Sequence, residues 1–383
     1  MGDVASSPFR ETKPPEPGLL DREPDWRKAW WGMPHFEAGD CRPHRKVVVN
    51  FATAADMKAF AKLTGLTVGP RTDTVWYPAQ PKLGGAWYFD GPETSTKYPV
   101  CIPSKGRAAI QKTGLALDRM GVEYKFFVEE TEYDAYCDRL GPDRVVRMPF
   151  HDLGRGSILA RNFIWEWAVE RGVKRHWVVD DNIRRFHRCT RNRRLRVFGG
   201  GFFRAMEDFV DRYENVALAG PHGLGFATDR SPTLPPFRLN SRVYSCILVD
   251  TSLPHRWRGR HNEDTDLSLR LLKDGYCTVL FNAFLMNKEA TSYGDGKRTG
   301  MAGGNTDTVY AGNDHRREFA ESLQRQHPDV VKVVWKYHRW HHEVDYSRFR
   351  RNRLRLRPGV VPTAEGDEYG MELIGPKAGD AEK

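Results

Sequence analysis

From Tyr98 onward, apolar and polar positions alternate in blocks. "YPVCIP" is a short apolar run that predicts a strand, and "RAAIQKTGLALDRMG" carries helical spacing that stops at Gly121. "YKFFVEE" returns to a strand, "EYDAYCDRLG" predicts a helix ended by Gly141, and "RVVRMP" is a third strand. "ILARNFIWEWAVERG" then reads as a helix and "HWVVDD" as a fourth strand. Repeated βα units of this length predict an α/β fold with a largely parallel, doubly wound sheet. Ligands in such sheets bind beyond the carboxyl ends of the strands. That rule puts Ser104 and Arg107, Glu129 and Glu130, and Asp180 and Asp181 at one rim.

The pattern continues through "ENVALAG" and "RVYSCILVD", two further strands around a Gly- and Pro-rich loop. In "HNEDTDLSLRLLKDGYCTVLFNAFLM", Leu267 and Leu271 repeat at helical spacing, Gly275 is the stop, and a β-rich run follows. Glu263, Asp264 and Asp266 fall in the first turn of that helix. Acidic residues suit a helix N-terminus, but three behind "RWRGRHN" exceed what capping requires.

Outside this region the pattern weakens. Residues 1–45 are rich in Pro and charge and predict a flexible arm. Residues 46–95 predict a small αβ unit: "KVVVN" as a strand, Thr53 as a helix cap, an apolar face at Met57, Phe60, Ala61 and Leu63, and "TVWYPAQP" as an extended segment. Residues 96–345 form the main domain. Residues 346–383 are a basic segment, "RFRRNRLRLRPG", followed by an acidic tail expected to be disordered. No apolar run approaches the roughly 20 residues of a membrane span, so a soluble, cytoplasmic protein with no membrane partner is expected. The six cysteines stand singly, which argues against a zinc ribbon or a disulfide framework.

Charge changes the picture more than composition does. The net charge is +10, and it is clustered. Between Asn182 and Met206 there is no acidic residue, while Arg184, Arg185, Arg188, Arg191, Arg193, Arg194, Arg196 and Arg204 all fall there. Two basic clusters, one immediately after a carboxylate pair, favour a phosphate-rich partner.

Two separated carboxylate groups suit several reactions. One can hold a hard divalent cation and the other can act as general base, which is the minimum for transfer from a sugar nucleotide. The same parts suit a metal-dependent nuclease. A Walker-type loop and a GxGxxG fingerprint after a strand are both missing, which disfavours nucleotide hydrolysis and dinucleotide redox chemistry.

The order "IPSKGR", "FFVEE", "LARNFIWEWA", "WVVDDN", "NEDTDLSLRLLKDGY" resembles nucleotide-sugar-dependent glycosyltransferases of GT-A fold, over roughly residues 98–290. "YPVCIPSKGR", "GRGSILARN", "DDNIRRF" and "MAGGNTDTVY" narrow the resemblance to the TET-associated glycosyltransferases, a largely phage-encoded family inferred to glycosylate 5-hydroxymethylpyrimidines in DNA. The resemblance implies a GT-A fold, that is, a Rossmann-like, doubly wound mixed sheet, and a functional link to a TET-like dioxygenase. It also implies a nucleotide-sugar donor, taken as a UDP-sugar, a divalent metal (Mn2+ or Mg2+), and DNA carrying hydroxymethylcytosine or hydroxymethyluracil as acceptor. A phage-encoded protein of this kind would work in the host cytoplasm.

The resemblance also implies roles. Pro103, Ser104, Arg107, Glu129, Arg161, Asn162 and Asp180 would bind the donor, and Asp181, with Asp180, the metal. Asn182 takes the last position of the DxD pattern. Asp264 would be the base of an inverting transfer, with Glu263 beside it. Arg184, Arg185, Arg188 and Arg191 would meet DNA phosphates. A C-terminal histidine often completes the metal shell in such enzymes, and His315, His338, His341 and His342 are candidates that spacing does not separate. The Gly-rich stretch 300–308 is expected to form a lid. A glycan or protein acceptor, or a nucleic-acid-binding protein with a vestigial transferase fold, are the competing expectations.

Overall fold

A computed structural model of the chain describes residues 26–37, 45, 47–69, 72, 75–77, 87–91, 95–151, 156–191, 193–226, 235–259, 261–289, 293–294, 297–298, 315–363 and 365–375. In chain order the helices are α1 (Ala54–Thr64), α2 (Lys112–Asp118), α3 (Tyr133–Leu140), α4 (Ile158–Glu170), α5 (Gly201–Asp211), α6 (Glu263–Lys273) and α7 (Arg316–Gln326). The strands of the first half are β1 (Tyr88–Asp90), β2 (Val100–Pro103), β3 (Lys125–Glu129), β4 (Val145–Met148), β5 (Arg175–Val179), β6 (Ile183–Thr190), β7 (Arg193–Phe198) and β8 (Val216–Gly223). Those of the second half are β9 (Phe237–Leu239), β10 (Cys246–Asp250), β11 (Cys277–Lys288), β12 (Tyr293–Gly294), β13 (Lys297–Arg298), β14 (Val331–Lys336), β15 (Arg339–Val344) and β16 (Glu372–Ile374).

One sheet of twelve strands dominates, in the order β16-β1-β7-β6-β11-β8-β10-β5-β2-β3-β4, with β9 pairing on β11. Its β4-β3-β2-β5 portion is parallel and follows the expected βα alternation. The rest is mixed. β10 runs antiparallel to both β5 and β8, and β6 antiparallel to β11 and β7. The largely parallel sheet expected from the βα pattern is therefore corrected to a large mixed one, as the resemblance implied. Only two residues separate β6 from β7, with Arg191 at φ +45°, and so short a link permits a hairpin but no crossover.

Because helices cover both faces, strand residues are buried alternately on each. Val100, Ile102, Phe126, Val128, Trp177 and Val179 join Leu117, Tyr136 and Phe202 on one side. Cys101, Phe127 and Val178 meet Ile164 and Trp165 of α4 and Leu267 and Leu271 of α6 on the other. The second half of the chain adds α7 and the β14–β15 hairpin, and Leu323, Val331 and Phe349 pack against Leu269 and Leu272 of α6.

Both ends of the chain depart from expectation. Trp30, in the stretch expected to be a flexible arm, lies in the core, stacked 5.9 Å from Phe237 and close to Phe209, Phe281 and Phe284. The acidic tail, expected to be disordered, supplies β16, which pairs antiparallel with β1, while Met371 is buried. Gly91 and Gly201 show how closely this tail lies. A Cβ on Gly91 would stand 2.2 Å from the Gly370 carbonyl oxygen, and one on Gly201 2.3 Å from that of Tyr369. The expected "KVVVN" strand does not form, and Val47, Val48 and Val49 are exposed. Thr53 does cap α1, in a reciprocal box with Asp56. Residues 300–308 lie outside the described residues.

Candidate active site

The parallel strands β4-β3-β2-β5 reverse their order between β2 and β5, and the crevice at such a switch point is where α/β sheets bind ligands. Ser104 leaves the end of β2 and Asp180 and Asp181 leave the end of β5. Asp181 is buried. One of its oxygens accepts a hydrogen bond from Ser104 Oγ at 2.5 Å and the other is paired with Arg107. Burial raises the Asp181 carboxyl above its ordinary value, although Arg107 and Ser104 oppose the rise. The loop from Ser104 to Arg107 is held from the other side as well. Glu132 accepts from the Gly106 N–H at 2.8 Å, and Lys105 pairs with Glu129, at the end of β3, at 2.9 Å.

Asp180 faces a different set of partners. Its Oδ1 receives Arg161 Nη2 at 3.2 Å and its Oδ2 receives Lys288 Nζ at 2.6 Å. Burial alone would raise this carboxyl, but Lys288, Arg161 and a hydrogen bond from Ser245 outweigh it and hold the group below its ordinary value. Lys288 comes from the end of β11 and also donates to Ser245 Oγ at 2.9 Å.

Arg161 connects the two acidic groups. It is buried on α4; besides Asp180 it contacts Asp264 through Nη1 and lies 3.8 Å from Glu263. Trp257 stacks over its guanidinium at 4.7 Å, and Asn162 fixes that tryptophan by bonding its backbone N–H and carbonyl, both at 2.9 Å. Both ends of the Asn162 amide are thus engaged with backbone. Ser157 donates to Glu263 at 3.0 Å. Asp264 is raised to about 6, first by burial and then by Glu263 and Asp180, with Arg161 opposing. Asp266, two residues on, has the opposite environment. Despite burial it is held at about 2 by His327, Arg258 and Arg270.

The four arginines expected to meet DNA separate into two pairs. Arg184 and Arg185 are exposed on β6. Arg188, expected to meet phosphate, is instead turned inward, donating to the His35 carbonyl at 2.8 Å, pairing with Glu368 at 2.6 Å and lying over Phe89. Arg191 is paired with Glu37 at 2.9 Å. Among the described residues no group of three or more His, Cys, Asp or Glu is gathered as a metal shell. Of the candidate histidines, His315 bonds Glu318, and His338 and His341 belong to the β14–β15 hairpin. Lys288, Glu132 and Ser157 were not found by sequence reasoning. Lys288 lies on a strand over a hundred residues from the aspartate it grips, and only the β6–β11 pairing signals their proximity.

Fold and site together define a mixed α/β enzyme whose ionisable groups converge at the switch point of its sheet. A family model described as TET-Associated Glycosyltransferase matches residues 98–297, which span every element of that crevice. The chain belongs to this family and is a glycosyltransferase, which requires a sugar donor. No curated protein matches the chain. No helix among the described residues is long and apolar enough to cross a membrane.

Proposed function

We propose that the protein moves a sugar from a nucleotide-sugar donor, a UDP-sugar, to the hydroxymethyl oxygen of a 5-hydroxymethylpyrimidine in DNA, on a GT-A framework and with inversion. The observation that carries this reading is Arg161, whose one guanidinium draws Asp180 of the strand-end pair and Asp264 of α6 into a single cleft. A donor group and an acceptor base are thereby adjacent. Pro103, Ser104, Arg107 and Glu129 line the donor side, with Asp180 and Arg161 at the diphosphate end. Asn162 acts by positioning, since its amide is engaged with Trp257.

In the transfer, the acceptor oxygen attacks the anomeric carbon as the bond from that carbon to the diphosphate oxygen breaks. The diphosphate leaves with the bonding electrons, and Asp264 takes the hydroxyl proton. A carboxyl at about 6 is well matched to this task near neutral pH, because it is ionised yet basic enough to accept a proton. Glu263 stands beside it towards the acceptor. Lys288 and Arg161 supply fixed positive charge where the diphosphate develops negative charge.

A divalent cation fits one of the two expected carboxylates better than the other. Mg2+ and Mn2+ are commonly held by one or two carboxylates plus substrate phosphates. Both oxygens of each carboxylate are already engaged, those of Asp181 by Ser104 and Arg107 and those of Asp180 by Arg161 and Lys288, but Asp180 is the less buried of the two and suits that role once Lys288 turns to the donor phosphates. Asp180 would hold the cation, Mn2+ or Mg2+, together with donor phosphates, and Asp181 would hold the donor loop in place. When bound, the cation contributes neutralisation of the departing diphosphate. A TET-like dioxygenase acting on the same DNA would supply the hydroxymethyl group, and Arg184 and Arg185 would meet the DNA.

The test is incubation with Mn2+, a panel of nucleotide sugars and duplex DNA containing hydroxymethylcytosine or hydroxymethyluracil, followed by digestion to nucleosides and mass spectrometry. A sugar-sized increment with the wild type and none with Asp264→Asn is expected. Transfer to a glycan or protein hydroxyl, with none to DNA, would overturn the acceptor assignment.

A further inference from the structure

The basic residues after Asp181 do not form one uniform surface. Arg119, following α2, together with Arg184, Arg185 and Arg196 of the β6–β7 hairpin, lines a cavity of about 270 Å³ whose remaining walls are Ala116, Met120, Phe186, Val197 and Phe198. All four arginines are exposed. Elsewhere the chain pairs its arginines with carboxylates, as at Arg161, Arg188, Arg258 and Arg270. Among the described residues Arg119, Arg185 and Arg196 have no such partner, and Arg184 reaches only Glu289, at 3.9 Å.

We propose that this four-arginine cavity is a binding site for the phosphodiester backbone of the acceptor DNA, an assignment that rests on the acceptor reading above. The charges are held together by the fold. In the antiparallel register Arg196 stands opposite His187, which puts Arg185 and Arg196 on one face of the hairpin, and α2 brings Arg119 against them. Concentrating like charge in this way is unfavourable without a ligand. Arg196, then burial, then Arg184 and Arg119 press the Arg185 guanidinium below its ordinary value, the direction expected of an uncompensated cluster. Guanidinium groups present several N–H donors in a planar fork that matches phosphate oxygens, and the apolar wall of Met120 and Phe198 suits the deoxyribose between phosphates.

The position serves the chemistry too. Arg184 follows Asp181 by three residues, and its partner Glu289 adjoins Lys288, which grips Asp180. A strand held in the cavity therefore runs past the cleft where its modified base must enter. The donor's own phosphates belong at the β2 and β5 ends, where Arg161 and Lys288 already stand, so the cavity is left for the acceptor.

The experiment uses the full chain and a fluorescent hydroxymethylated duplex. Affinity is measured by anisotropy across a salt series for the wild type, for Arg196→Gln, and for the double variant Arg119→Gln/Arg196→Gln. Each lost phosphate contact lowers the slope of log K against log salt by about 0.9, so a fall of about 1.8 is expected for the double variant and about 0.9 for the single one. Thermal stabilisation by the nucleotide sugar is expected to stay as in the wild type. An unchanged slope in a folded variant overturns the proposal, and wild-type transfer to DNA in the same preparation would show that the acceptor reading survives it. If the wild type neither binds nor modifies DNA, the acceptor reading fails first. Polyglutamate competing as well as DNA would overturn the assignment to phosphate. Should the double variant not fold, Arg196→Gln alone decides the outcome.

Discussion

Asp264 and Asp266 stand two residues apart in the first turn of α6, yet the structure predicts that neutralising them moves stability in opposite directions. Asp264 rises from an ordinary value of 3.8 to about 6, whereas Asp266 falls to about 2. At about 1.4 kcal/mol per tenfold change in proton affinity, the ionised Asp264 opposes the folded state at pH 7.5 and the ionised Asp266 supports it, each by on the order of 2 kcal/mol. Between pH 3.8 and about 6 the folded chain holds the Asp264 proton more tightly than the unfolded chain, so stability falls as pH rises through that window. Asp264→Asn should therefore be more stable than the wild type by about 2–3 kcal/mol at pH 7.5, with about half of that gain left at pH 5.

Asp266 works in the other sense. Its stabilisation is present above pH 3.8 and is lost as pH falls towards about 2, so Asp266→Asn should be less stable by on the order of 2 kcal/mol at both pH 7.5 and pH 5. Urea denaturation followed by tryptophan fluorescence at the two pH values reads both differences. For a chain of this size the Asp264→Asn gain corresponds to an upward shift in Tm of about 3 °C. Transfer activity should be lost in Asp264→Asn and retained in part in Asp266→Asn. If both variants are destabilised alike at pH 7.5, the two acids merely complement the helix N-terminus, and the assignment of Asp264 as base loses its physical support.

The kcat/KM for transfer should climb with pH through about 6 and then level off, as Asp264 of the free enzyme sheds its proton; a kcat/KM profile that stays flat from 5 to 8 would remove Asp264 as base. Arg161→Met leaves Asp180, Asp264 and Glu263 without their shared cation in a buried site, and should lower stability by about 3–5 kcal/mol in chemical denaturation. Trp30→Ala empties a position ringed by Phe209, Phe237, Phe281 and Phe284 and should cost about 3–5 kcal/mol; an effect below 1 kcal/mol would mean that the segment around Trp30 is not part of the core in solution.

The parallel half of the sheet was legible because each of its strands is a short apolar run and several of its helices end on a glycine. The β6–β7 hairpin was not, for the reason that its outward positions are arginines. "RRLRVF" alternates charged and apolar residues at the strand period, with Arg194 and Arg196 outside and Val197 inside, but the density of charge reads as an interface rather than as one face of a strand. Helix α5 went unassigned in the sequence because it begins within the glycines at 199–201, which weaken its helical signal. Within the site the carboxylates were visible because few structural needs place two aspartates at a strand end. Their partners were not: Lys288 reaches Asp180, and Glu368 reaches Arg188, across sequence separations that no local pattern records. The same distance explains the tail, whose Glu372–Ile374 strand has no periodicity of its own and is specified by β1.

That last pairing gives the molecule an order in time. Strand β1 is made before either of its partners: its parallel neighbour β7 follows after about a hundred residues, and its other neighbour, β16, after about 280. Trp30 waits as long for Phe281 and Phe284. The residues of the catalytic crevice, by contrast, have all been made once Lys288 has emerged, and α6 then awaits only its packing against Leu323, Val331 and Phe349. A chain ending just before Glu372 keeps every residue of the site but leaves the Tyr88–Asp90 edge without its β16 partner, where another chain can pair. Synthesis of Glu372–Ile374, later than that of the active-centre residues, is what covers this edge of the sheet.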